Sequence, residues 1–279
     1  MGNSKSVLTD DYYNHLETNG KIEKEYTKLG PYQTTSFTFF KSNIEKLKQF
    51  IVCCPTTFDK KLPLVIFVNG TGIIGSRYLP LFHHLASYGF IVAGNDDEMS
   101  GYGHSTSDTL DFMLKLNKEK GLFYDKIDEN NIGVAGHSQG GAGVLNAVSK
   151  FPNSKYYKCL FIASCMPNIK VDDGSDAYDT SLIHIPYFSI TSNGFFDNKI
   201  SNKELLKTNF DKIPDNVPAL AAIRKKIDHG DTLSNGDGYM TAWFSYFLKG
   251  DLNIKEAFFG DNPEICNNSL WEDIMRKNL

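Results

Sequence analysis

One stretch constrains the fold more than any other. Ile132-Gly133-Val134-Ala135 is a short apolar run that leads into Gly136-His137-Ser138-Gln139-Gly140, and Gly141-Ala142-Gly143-Val144-Leu145 follow. The run is too short for a helix and reads as a strand buried on both faces. The glycines on either side of Ser138 suit a sharp turn with little room for side chains. The small residues after it let a helix pack close to a sheet. Together they match G-x-S-x-G, a strand-to-helix turn that holds a serine hydroxyl exposed above the sheet.

The rest of the chain supplies that sheet. Leu64 to Val68, Phe90 to Ala93, Cys159 to Ala163 and Tyr187 to Ile190 repeat the short apolar pattern. Tyr78 to Tyr88, Ser107 to Lys118, Gly140 to Lys150, Asn202 to Phe210 and Gly238 to Leu248 read as helices. Strands alternating with helices predict an α/β fold, a mainly parallel central sheet flanked by helices. Thr34 to Phe40 and Gln49 to Cys54 read as an antiparallel edge pair. We expect residues 1–30 to be an N-terminal extension and residues 31–279 a single domain.

Charge and cysteine content narrow the function classes. With 29 basic and 33 acidic residues the net charge is −4, which argues against nucleic acid as a partner. No apolar run approaches the ~18 residues of a transmembrane segment. The polar N-terminus lacks the apolar core of a secretory signal. It does read Met1-Gly2-Asn3-Ser4-Lys5-Ser6, which fits N-myristoylation at Gly2 in a eukaryotic source. The five cysteines form neither a disulfide framework nor a zinc-site spacing, so a reducing, cytoplasmic setting and no metal are expected.

A serine hydroxyl needs a base to become a nucleophile, and the base needs an orienting acid. Downstream of Ser138 there are two histidines, His184 and His229. His184 precedes the strand at Ile185 to Ile190 and so falls at the wrong edge of the sheet. His229 lies in Asp228-His229-Gly230-Asp231, between Ala221 to Ile227 and the helix from Gly238, and is the expected base. Asp197 is the sole carboxylate of the loop Ser192 to Asn198 and is the expected acid, with Asp172 and Asp173 as alternatives. For the oxyanion hole, the N–H of Gln139 sits at a helix N-terminus. Thr71, in the glycine-rich loop Asn69 to Ile73, is the expected second donor.

Other side chains read as structural. His83 and His84 are surface or packing residues, His137 belongs to the turn, and Asp96, Asp97 and Glu98 form a solvated loop. His104 either lies in solvent or lines an entrance. Tyr239, Trp243, Phe244 and Phe247 share one helix face and read as core.

These residues resemble the α/β-hydrolases of the polyester-hydrolase, cutinase-like and chlorophyllase-like branch. The resemblance rests on Val68-Asn69-Gly70-Thr71-Gly72, on His84-Leu85-Ala86-Ser87-Tyr88-Gly89-Phe90-Ile91-Val92, on the Ser138 turn, and on Asp197 and His229. It spans residues 31 to 250. It implies a serine esterase that cleaves carboxylic esters through Ser138, His229 and Asp197 and an acyl-enzyme, without a cofactor. The chain lacks the signal peptide and disulfides of the secreted polyester hydrolases, which points to a small-molecule or lipid ester instead of a polymer. Too few residues separate Cys165 from Ile185 to fold a lid. An open cleft is therefore expected, lined by Gly70, Thr71, Gly72, Met166, Pro167, Phe195 and Phe196. An amidase or acyltransferase would use the same triad, and a non-catalytic ligand-binding module is the alternative of a different class.

Overall fold

In the computed structural model, which describes residues 8–40, 47, 49–167 and 177–279, the apolar runs become neighbouring strands of one sheet. The strands are β1 (Thr34–Phe40), β2 (Gln49–Pro55), β3 (Leu62–Val68), β4 (Ile91–Asn95), β5 (Ile127–His137), β6 (Tyr157–Ala163), β7 (Tyr187–Ser192), β8 (Ala219–Arg224) and β9 (Trp271–Lys277). Their spatial order is β1-β2-β4-β3-β5-β6-β7-β8-β9. From β4 to β8 all neighbours are parallel. β1 and β2 extend one edge antiparallel, and β9 closes the other in the same manner. This is the α/β-hydrolase arrangement.

The helices that matter here are α1 (Lys21–Thr27), α2 (Leu79–Ser87), α3 (His104–Lys118), α4 (Gln139–Lys150), α5 (Asp197–Ile200), α6 (Lys203–Asp211) and α7 (Thr232–Lys249). Side chains alternate across each strand, and the central strands are apolar on both faces because both are covered. In β3, Val65 and Phe67 join a core with Leu85 of α2 and Trp243 of α7. Leu64 and Ile66 join the opposite core with Leu110 of α3, Val144 of α4 and Phe210 of α6. In a parallel sheet every strand presents its C-terminal end at one edge, so the loops after β3, β5, β7 and β8 gather there.

The structure departs from the sequence reading in several places. α7 starts at Thr232 and not at Gly238, so the helix follows His229 almost at once. β9 is a strand where none was expected. His104 opens α3 with its ring 5.0 Å from that of Phe151, and is not part of a cleft entrance. His84 is fully buried against the equally buried Asp237, with Nδ1 2.8 Å from the carboxylate. α1 packs on α7, and its buried Glu23 accepts from Trp271 Nε1 at 2.7 Å.

Two sequence expectations, myristoylation at Gly2 and the alternative acids Asp172 and Asp173, lie outside the described residues. Among the described residues no helix is long and apolar enough to cross a membrane. All five cysteines are free.

Candidate active site

Ser138 is held in a conformation that most side chains avoid. Its φ is 58° and its ψ is −121°, at the junction of β5 and α4. Its N–H donates to Ala163 O at 2.9 Å, and its carbonyl accepts from Gly141 N at 2.9 Å and Met166 N at 3.2 Å. These bonds from β6, the loop after it and α4 fix the strained turn. The flanking glycines are required by close approach. A Cβ on Gly136 would lie 2.4 Å from Gly140 O, and one on Gly140 would lie 2.2 Å from Val68 O. Larger residues would push α4 off the sheet and move the serine with it.

Asp197, at the start of α5 just after β7, is completely buried. Its Oδ1 accepts from His229 Nδ1 at 2.7 Å. Its Oδ2 faces Ser192 N at 3.0 Å, Ser164 Oγ at 2.7 Å, Thr232 Oγ1 at 3.1 Å and the Ser192 hydroxyl. Burial pushes this carboxyl up. The bonds from His229, Ser192 and Ser164 outweigh that and hold it below the usual carboxylate value. It is therefore a carboxylate at neutral pH, aimed at one nitrogen of His229.

His229 and Ser138 both line a cavity of about 390 Å³. Among the described residues the Ser138 hydroxyl makes no hydrogen bond, and so none to His229. Serine–histidine links in catalytic sites commonly tighten only with substrate bound. His137 Nε2 donates to the His229 carbonyl at 2.9 Å. Burial, and after it the adjacent His229, pushes the His137 imidazole down to about 4, so it is a neutral donor here.

The loop after β3 is braced from beneath. Asn69 Nδ2 donates to Asn95 O at 2.7 Å, Ser100 Oγ donates to Asn69 O at 2.6 Å, and Gly70 N donates to the Tyr78 hydroxyl at 3.1 Å. Among the described residues no acceptor takes the N–H of Thr71 or of Gln139. Both N–H groups are therefore unengaged.

Of the residues expected to line the cleft, Gly70, Thr71, Met166 and Phe196 reach the cavity wall. Gly72, Pro167 and Phe195 lie outside it. Gly72 N turns away to Glu98 O at 2.9 Å, and Phe195 is 72% exposed beneath Lys199 Nζ at 4.0 Å. His184 is exposed ahead of β7, away from the cavity. Sequence reasoning did not find Leu8, Ile73, Arg77, Tyr78, Ile200 or Leu233, which complete the wall with Gly230. Nor did it find Asp228, whose carboxylate accepts from Phe196 N at 2.9 Å, Asp197 N at 3.0 Å and His229 N at 2.8 Å. Its place beside His229 was the available signal. Among the described residues no cluster of His, Cys, Asp and Glu could hold a metal ion.

Compared with known families, residues 19–159 match one described as PET hydrolase-like, PETase. The match covers just over half of the chain. It takes in the β3 loop and the Ser138 turn, whereas Asp197 and His229 lie beyond it. No curated protein matches the chain.

Proposed function

Because the chain belongs to the PET hydrolase-like family of α/β-hydrolase ester hydrolases, we propose that it is a serine esterase. Ser138 Oγ attacks the ester carbonyl while His229 Nε2 removes its proton. Asp197 holds the Nδ1–H tautomer and balances the imidazolium that forms. The N–H groups of Gln139 and Thr71 stabilise the tetrahedral oxyanion, with the N-terminus of α4 adding its dipole. His229 then returns the proton to the departing alcohol, and water hydrolyses the acyl-enzyme by the same steps in reverse. The observation that carries this reading is the 2.7 Å bond from His229 Nδ1 to the buried Asp197, beside a cavity whose wall includes Ser138 and His229.

The cavity volume suits a small or short-chain lipid ester more than an entangled polymer. The free cysteines, four of them buried, support a cytoplasmic setting.

The test is hydrolysis of p-nitrophenyl esters from acetate to palmitate, with Ser138→Ala as control and a fluorophosphonate probe as label. We expect turnover and labelling that both vanish in Ser138→Ala. A folded wild type that neither turns over nor labels would leave the ligand-binding module as the better reading.

A further inference from the structure

The cavity contains a charge that the triad does not use. Its wall is mainly apolar, yet Arg77 forms part of it. Arg77 sits in the single turn just after the Gly70 to Ile73 loop and precedes the buried Tyr78. Its side chain is exposed, and among the described residues its guanidinium has no hydrogen bond or ion pair. Among those residues no carboxylate lines the cavity either. The nearest functional acid, Asp197, lies behind His229 and is engaged by it. A guanidinium's fork of donors fits carboxylate or phosphate oxygens.

Strand order fixes where this charge lies. β5, which carries Ser138, stands between β3 and β6, and β7 lies beyond β6. Arg77 belongs to the segment after β3, whereas Phe196 and Ile200 belong to the segment after β7. The serine is therefore flanked by a cationic side and an apolar side. An ester attacked at Ser138 must extend both ways, acyl group in one direction and alcohol in the other. Resting on the esterase reading above, the geometry points to an anionic ester: one half carries an oxyanion, carboxylate or phosphate, that pairs with Arg77, and the other half is apolar and lies against Phe196 and Ile200.

The experiment compares kcat/KM within pairs of esters that differ only in that charge. Mono-p-nitrophenyl adipate against its methyl ester places a carboxylate on the acyl side, and 4-acetoxybenzoate against its methyl ester places it on the alcohol side. Dihexanoyl phosphatidate against dihexanoylglycerol supplies phosphate. Wild type should favour the anionic member of at least one pair by roughly tenfold, the scale of one charge-assisted hydrogen bond. Added salt should erode the preference. Arg77→Gln should bring that ratio close to one, and Arg77→Lys should keep part of it. Which pair responds identifies the anion and the side that carries it. Turnover of neutral esters with ratios near one in wild type would overturn the proposal while leaving the esterase intact. A preference that survives in Arg77→Gln would overturn it as well, and failure to turn over any ester would overturn both.

Discussion

The carboxylate of Asp228 accepts the backbone N–H of Asp197 at 3.0 Å, so the residue before His229 holds the residue that bonds its ring. The same carboxylate takes the N–H groups of Phe196 at 2.9 Å and His229 at 2.8 Å. Two loops, after β7 and after β8, are thus tied at one side chain. Gly194 permits the approach, since a Cβ there would lie 2.5 Å from the Asp228 Cα. The 2.7 Å bond between the side chains of His229 and Asp197 spans the same two loops.

Replacing Asp228 with Ala should therefore lower kcat by roughly 10- to 100-fold, through a misplaced His229–Asp197 pair. Asp228→Asn keeps an acceptor oxygen and should recover part of the loss. A residue that mattered only for folding would lower Tm and leave kcat per folded molecule unchanged. Burial pushes the Asp228 carboxyl up, but the N–H groups of Phe196, His229 and Asp197 outweigh it and hold it below 3.8. The tie is then present at neutral pH and is lost only in strong acid. Steady-state kinetics with active-site titration decide the matter.

Asp197→Asn should cost about 10³- to 10⁴-fold in kcat, because an amide no longer selects the useful His229 tautomer. It also turns a donor toward the Ser164, Ser192 and Thr232 hydroxyls, so Tm should fall. The pH dependence follows from sign. Asp197 is depressed below 3.8 in the folded protein, so its stabilisation is present above that value and is lost as pH falls through the folded value. Wild type should lose stability in that acid range with a steeper slope than Asp197→Asn. Thermal melts between neutral pH and pH 3 measure this.

Two histidines, the buried His84 and the half-buried His137, should bound the stable pH window from opposite sides. Burial pushes His84 down, but the Asp237 charge and its hydrogen bond, with the carbonyls of Lys28 and Thr27, raise it above 6.5 overall. Its contribution is complete below 6.5 and is lost as pH rises through the folded value. His137 is lowered to about 4, so its contribution is present above 6.5 and is lost as pH falls toward 4. His84→Gln should flatten the alkaline limb of the Tm profile, and His137→Asn the acid limb. Asp237→Ala should cost about 3 kcal/mol or more, because it removes the buried partner of both His84 Nδ1 and the Tyr12 hydroxyl. A profile unchanged in both histidine variants would refute the assignment.

What was legible in the sequence follows from which forces act locally. The Ser138 turn could be read because a strand, a glycine-flanked serine and a small-residue helix must be contiguous. The loops of Asp197 and His229 could be read because the sheet dictates where they occur along the chain. Asp228 was missed although it stands beside His229, because two of the three N–H groups it takes, those of Phe196 and Asp197, belong to a different loop. Arg77 could not be, since only the cavity sets it apart from any surface arginine. β9 was missed because Trp271–Lys277 is rich in charge and Asp273 takes a positive φ of 49°, which breaks the alternation of a half-buried edge strand. The buried pair of His84 and Asp237 joins α2 to α7 across the fold, and neither local sequence hints at the other.

Two glycines near the cavity separate the effect of close approach from that of backbone strain. At Gly140 an added Cβ would lie 2.2 Å from Val68 O and 2.7 Å from Asn69 O, both backbone atoms that cannot swing aside. Gly140→Ala should cost about 3 kcal/mol or more, and should lower activity further by shifting Ser138 and the N–H of Gln139. At Gly72 no atom lies within 4 Å of the added Cβ, but φ is +69°. Gly72→Ala should therefore cost only about 1–2 kcal/mol, from the left-handed backbone alone. For a domain of this size that is a Tm decrease of about 2–4 °C per kcal/mol. Melts of both variants, with esterase activity per folded molecule, test the contrast. Equal Tm values for the two would mean that α4 can lift from β3 at little cost, and that the tight packing at the Ser138 turn does not hold the nucleophile in place.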